Sequence, residues 1–144
     1  MLAAGLATGA CGFAASVPSV PADVLYIPHA RVEASYAHAG SPWVSLPSFK
    51  VMTSQRVAPG TVEMHTYDTD VFYIVQGRAQ FVTGGTGTQM TETKPGEWRG
   101  KSIEGGTVHT LEAGDVIVIP NGTPHQYTAI DGTFRYFVVK ITQK

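Results

Sequence analysis

"GDVIVIPNGTPHQY", residues Gly114 to Tyr127, runs four successive β-branched apolar residues into a proline, a glycine and then a histidine. A strand that is apolar at consecutive positions has both faces covered, as it would between two packed layers. Pro120 cannot extend a hydrogen-bonded ladder, and Gly122 can take a left-handed backbone, so the chain must turn sharply after Ile119. A corner this rigid fixes the residue that follows it. It predicts that His125 is aimed back into the interior rather than left on a loose loop.

The rest of the text reads outward from that corner as strands and turns. "SFKVMTSQRV" (48–57) and "TVEMHTY" (61–67) are strands separated by the Ala58–Gly60 turn. "VFYIV" (71–75) and "RAQFVT" (78–83) read as the two arms of a hairpin about Gln76–Gly77. Met90 to Gly106 reads as a long, polar, glycine-rich connection, followed by strands at 107–111 and 116–119 and by "FRYFVVKI" (134–141). One short helix is predicted within "IPHARVEASYAHAG" (27–40), outside the main body. Many short strands and a single helix predict an all-β sandwich or barrel in one domain, residues 23–144.

Composition narrows the partners. Ten basic and eleven acidic residues among 144 give a net charge of −1, so no basic face for nucleic acid or anionic lipid is expected. The opening "MLAAGLATGACGFAASVPSVPAD" is apolar and uncharged from Leu2 to Ala15, too short to span a bilayer. It reads as a signal peptide or an N-terminal arm over residues 1–22, which implies a periplasmic or secreted protein, or a cytoplasmic one if the segment is retained. Cys11 is the only cysteine, which excludes an intramolecular disulfide.

The segment Gly114–Tyr127 resembles the second signature of the cupin family, in the spacing of Gly114, Pro120, Gly122 and His125. "PGTVEMHTYDTDVFYIVQG" (59–77) resembles the first, with His65, Asp70 and Gly77 on the positions of a histidine, an acid and a glycine. Three positions depart from the pattern: Glu63 stands where the family has its first histidine, Asp70 replaces a glutamate, and Ala129 replaces an asparagine. The resemblance implies a double-stranded β-helix, or jelly roll, with a short N-terminal helix and arm. "EWRGKSIEGGTVHTL" (97–111) is similar to a subgroup of small single-domain cupins.

The residues themselves support a metal site. On a strand, Glu63 and His65 share a face, and Asp70 on the next strand can approach them while His125 closes the set. Glu63, His65, Asp70 and His125 are thus the expected ligands, an N₂O₂ set suited to a divalent ion, with Mn, Fe and Zn the leading choices. Glu63 has three open roles: ligand, partner of a ligating histidine, or catalytic general base. Phe72, Phe81, Tyr127 and Phe137 are the expected pocket residues, Gln126 is expected to point outward, and Trp98 and Arg99 to form a lid or a subunit contact. The resemblance implies an enzyme acting on a small organic molecule, by oxygen-dependent chemistry or by isomerase or lyase chemistry. A ligand-sensing module and a metal-free structural cupin are the alternatives. A homodimer is expected, with "PSFKVMTSQRV" (47–57) as the pairing edge.

Overall fold

The structure, a computed structural model, describes residues 23–143; the expected signal or arm, residues 1–22, lies outside them. Helix α1 (His29–Ser35) and a 3₁₀ turn (Tyr36–His38) precede eleven strands. These are β1 (Pro42–Ser45), β2 (Phe49–Arg56), β3 (Val62–His65), β4 (Asp68–Thr83), β5 (Thr86–Gly87) and β6 (Thr91–Lys94). After them come β7 (Glu97–Gly100), β8 (Ile103–Glu104), β9 (Thr107–Glu112), β10 (Val116–Ile119) and β11 (His125–Thr142). Every pairing is antiparallel, and one path runs β1-β2-β11-β3-β7-β6. The fold is the expected all-β jelly roll with one short helix.

Two long strands hold it together. β4 pairs with β9, β10 and β11, and β11 pairs with β2, β3 and β4, so both run through the two layers. The hairpin expected at Gln76–Gly77 is therefore absent: the two arms are one continuous strand. Gly77 takes φ +86°, and a Cβ there would collide with the Thr133 carbonyl oxygen. The glycine bends β4 around the facing stretch of β11 instead of reversing the chain. The register of β11 against β4 shifts at Tyr127/Ala129, Asp131/Arg135 and Arg135/Tyr136. Such shifts change which alternate residues face inward.

That phase change corrects the expectation for Phe137. His125 and Tyr127 are buried at odd positions, but beyond the irregularities the buried residues are Phe134, Tyr136 and Val138. Phe137 faces the other side, its ring centroid 5.9 Å from that of Trp43. The core inside is aromatic: Phe72, Phe81, Tyr127, Phe134 and Tyr136 pack with Ile74, Ile119 and Val138. Phe81 and Tyr127 sit 4.5 Å apart and Phe72 and Tyr136 4.9 Å apart, tilted as aromatic pairs prefer.

Three further expectations change. The helix is packed onto the sheet: Tyr36 is buried, Arg135 lies over its ring at 4.6 Å, and Ser35 is hydrogen-bonded to Thr53. β2, the expected pairing edge, has β11 along one side, while β1 covers residues 50–52 on the other. The supposed polar connection contains the β6–β7 hairpin, turned at Gly96 with φ +78°, and β7 pairs along β3. Among the described residues, no helix is long and apolar enough to cross a membrane.

Candidate metal centre

The corner after β10 docks on the strand that carries His65. The Gly122 amide donates to the His65 carbonyl at 2.7 Å, with Gly122 at φ +75° as a left-handed corner requires. Asn121 Nδ2 donates to the Thr66 carbonyl at 3.0 Å. One rigid turn thus sets the backbone of His65 and the start of β11 together. His125 pairs directly with Glu63 across β11 and β3, and the rings of His65 and His125 stand 5.3 Å apart.

Both imidazoles are buried, and both have Nδ1 engaged by an acceptor. His125 Nδ1 donates to the Thr123 carbonyl at 3.0 Å, and His65 Nδ1 donates to Glu97 Oε2 at 2.9 Å. A carbonyl and a carboxylate only accept, so each Nδ1 carries a proton and Nε2 is the nitrogen left to face the site. For His65 that nitrogen faces negative charge: Glu63 Oε2 lies 4.0 Å from Nε2 and Asp70 Oδ2 3.4 Å from it. His65 Nε2 is buried without a hydrogen-bond partner. A ring nitrogen facing carboxylates calls for a cation between them, a proton or a metal ion.

Ligand atoms of Glu63, His65 and His125 lie within 4.8 Å of one another, the set among the described residues that could hold an ion. Two imidazoles and one carboxylate match the donor set of sites that keep open positions for substrate. Asp70, the fourth expected ligand, does not join it. Its carboxylate is 2% exposed and takes Lys140 Nζ on both oxygens, at 2.7 and 2.8 Å. Asp68 begins β4 and accepts from Thr142 at 2.6 Å and Lys50 at 3.5 Å.

The surroundings tune these groups. Burial raises the Glu63 carboxyl, but Arg56, Arg99 and His125 outweigh it and hold the group below the usual range. Arg56 Nη2 donates to Glu63 Oε1 at 2.7 Å and Nε to Tyr136 at 3.2 Å, while the guanidinium lies 4.8 Å from the Tyr127 ring centroid. Burial pushes His125 down to about 4, against a small upward pull from the Thr123 carbonyl. Burial also raises Glu97, yet its hydrogen bond with His65 and the neighbouring charges bring it down to about 2. Burial pushes the Tyr127 hydroxyl up, and that oxygen lies buried beside Tyr136.

A narrow cleft of about 20 Å³ lies beside the set, lined by Arg56, Thr61, Glu63, Phe72, His125, Gln126, Tyr127 and Tyr136. Phe72 and Tyr127 line it as expected. Phe81 does not: it is fully buried behind, its ring 5.8 Å from His125. Gln126, half-buried between the buried His125 and Tyr127, donates to the Gly60 carbonyl at 3.0 Å. A wider hollow of about 230 Å³ at Leu46, Lys50, Tyr67, Asp68 and Glu97 lies away from His125. Trp98 donates to Thr66 at 3.1 Å, and Arg99 approaches Glu63 at 3.8 Å and Glu97 at 3.6 Å, so both belong to the packed sheet rather than to a lid.

Arg56, Glu97, Tyr136 and Lys140 escaped the reading of the sequence. One signal was present: "VEMH" (62–65) and "EWRG" (97–100) carry opposite charge at matching spacing, the pattern of strands paired face to face. Lys140 carried no comparable cue.

A family model described as Cupin matches residues 45–144. A conserved protein with a double-stranded β-helix domain from Klebsiella pneumoniae is 15% identical, covering 78% of this chain and 88% of its own, with a TM-score of 0.57. The cupin domain of Schizosaccharomyces pombe Cnp3 is 14% identical over 70% of this chain and 61% of its own, with a TM-score of 0.52. A DMSP lyase, DddQ from Ruegeria pomeroyi, is 21% identical over 66% of this chain with a TM-score of 0.46, and this chain spans 39% of its length. At these identities the likeness is one of fold. No match was found among curated proteins.

Proposed function

The chain belongs to the cupin family, and from that premise we propose that it is a metal-dependent enzyme acting on a small, oxygen-bearing organic molecule. The observation that carries this reading is the buried, unpartnered His65 Nε2, turned toward carboxylates while its Nδ1 is already occupied. Glu63, His65 and His125 would hold the ion, with Mn, Fe and Zn the ions that suit the set. Such an ion supplies Lewis-acid polarisation of a substrate oxygen, or one-electron chemistry if it is iron or manganese.

The other groups fit a substrate-binding role. Tyr127 Oη lies buried at the cleft wall beside Tyr136, placed to donate to a substrate oxygen that displaces that neighbour. Arg56 braces Glu63 from one side, which keeps that carboxylate ionised and its second oxygen turned toward His65. Phe72 and the Tyr136 ring supply apolar walls. A cleft of about 20 Å³ is far below the usual range for drug-sized ligands, roughly 300–1,000 Å³, and has room for about one water, so a substrate would enter only as lining side chains such as Arg56 and Gln126 move aside. With Glu63 engaged as a ligand, the role of general base passes away from it.

The test is elemental analysis of protein purified without added metal, followed by assay against a panel of small hydroxy-, keto- and carboxylic acids. Stoichiometric Mn, Fe or Zn, lost in a His65→Ala/His125→Ala variant that keeps its fold, together with turnover in the panel, supports the proposal. Metal without turnover would favour the ligand-sensing alternative. A metal-free protein of unchanged thermal stability would favour the structural one.

A further inference from the structure

β3 and β7 lie side by side in a register that places His65 opposite Glu97 and Glu63 opposite Arg99. Each ligand that β3 would offer to a metal thus has a directly facing partner of opposite or hydrogen-bonding character on β7. Facing residues in an antiparallel pair are the closest cross-strand neighbours a sheet provides. The contacts follow: Glu97 Oε2 accepts from His65 Nδ1 at 2.9 Å, and Arg99 reaches Glu63 Oε2 at 3.8 Å and Glu97 Oε2 at 3.6 Å.

We propose that Glu97, carried by the β6–β7 hairpin, is the positioning residue of the metal centre, fixing the tautomer and ring orientation of His65 so that Nε2 is the ligating nitrogen. The proposal rests on the metal reading above. An imidazole has two nitrogens and can turn about its bonds; held at Nδ1, it presents only Nε2. For His125 a main-chain carbonyl does the holding, through Thr123 two residues earlier in the same chain. For His65 no main-chain acceptor is recorded at Nδ1, and the holding group comes from a strand thirty-two residues away in sequence. A carboxylate in that place also raises the basicity of the ligating nitrogen, which a carbonyl does less strongly.

The geometry gives Glu97 little freedom of its own. It is about a quarter exposed, with Arg99 on one side and the β6 pairing partner Lys94 on the other. The Gly96 turn before it is closed by a Gly96 amide bond to Glu92 at 2.8 Å and by Thr66 N donating to the Gly96 carbonyl at 2.8 Å. The hairpin is thereby fastened to the residue that follows His65.

The experiment uses the full chain as wild type, Glu97→Gln and Glu97→Ala, with folding checked by thermal melting. The ¹⁵N shifts of the His65 ring, assigned through a His65→Gln variant, are measured in metal-free protein at neutral pH. Zn(II) affinity is measured by chelator competition. The expected result is a pure Nδ1–H tautomer in the wild type and a mixture in Glu97→Ala, with His125 unchanged. Zn(II) affinity should fall about 10–100-fold in Glu97→Ala. Glu97→Gln, whose amide oxygen still accepts from Nδ1–H, should keep the tautomer and lose less affinity. An unaltered tautomer and affinity in Glu97→Ala, with wild-type binding intact, would overturn the proposal alone. Wild-type protein that takes up no Zn(II), while its tautomer still depends on Glu97, would overturn the metal reading and leave the contact standing.

Discussion

Two carboxylates approach His65 Nε2 from different strands, and they are held in opposite ways. Glu63, on β3, gives one oxygen to Arg56 at 2.7 Å and turns the other toward the imidazole, at the mouth of the cleft. Asp70, on β4, is buried and gives both oxygens to Lys140. A carboxylate with one oxygen beyond hydrogen-bond distance of any donor, as Glu63 Oε2 is at 3.8 Å from Arg99, can take a cation; one closed by an ammonium group on both oxygens is already neutralised. The lesson is that an acid in a family signature is not a ligand by position alone, since its charge is free only if no side chain from another strand has claimed it.

The largest expected effect breaks the Asp70 side. Lys140→Met leaves a buried carboxylate unpaired and should cost about 3–5 kcal/mol by chemical denaturation, while Lys140→Met with Asp70→Leu should recover most of that loss. If the single variant is as stable as the wild type, Lys140 is not what holds Asp70.

On the other side, Glu63→Gln removes the free oxygen's charge and should lower metal affinity by at least about 100-fold, at the upper end of what a lost ligand-supporting group costs. Asp70→Asn should change it by less than about 10-fold, and both are read by competition with a chelator. Equal losses would mean that Asp70 shares the ion after all.

A smaller effect concerns acid. In metal-free protein, the folded state holds His125 unprotonated down to about 4, whereas the unfolded chain takes up that proton near 6.5. The unfolded state binds more protons across that window, so stability should fall as pH drops from about 6.5 toward 4. Glu97, held down to about 2 when folded, adds a further loss from about 4.5 toward 2, and Glu97→Gln should remove that second part. Denaturant midpoints measured across pH, in the presence of chelator, check both.

The part of this molecule legible in sequence is the part set by local chemistry. Pro120 and Gly122 announce a corner whatever surrounds them. His125 follows from that corner, whereas His65 rests on the resemblance of residues 59–77 to a cupin signature. "VIVI" announces a strand but misled on its cover: Val116 and Val118 are exposed, so β10 is covered on one face only. Gln76–Gly77 misled because a glycine that reverses a chain and one that bends it look alike; the difference lies in the Thr133 carbonyl packed against Gly77, far along the chain. Phe137 misled because irregular pairing within β11 changes which alternate side faces the core. Glu97 and Lys140 were hidden for a related reason. Their roles depend on which residue of another strand stands opposite, and register between distant strands is written in no single stretch.

The account's central claim is that Glu63, His65 and His125 share one cation. Crystals of the wild-type protein grown with Mn(II) and measured at the manganese absorption edge test it most directly. A single anomalous peak within bonding distance, about 2.0–2.3 Å, of Glu63 and of both Nε2 atoms is the predicted result. A peak at Asp68 and Asp70, or none between the two imidazoles at saturating Mn(II), would contradict it.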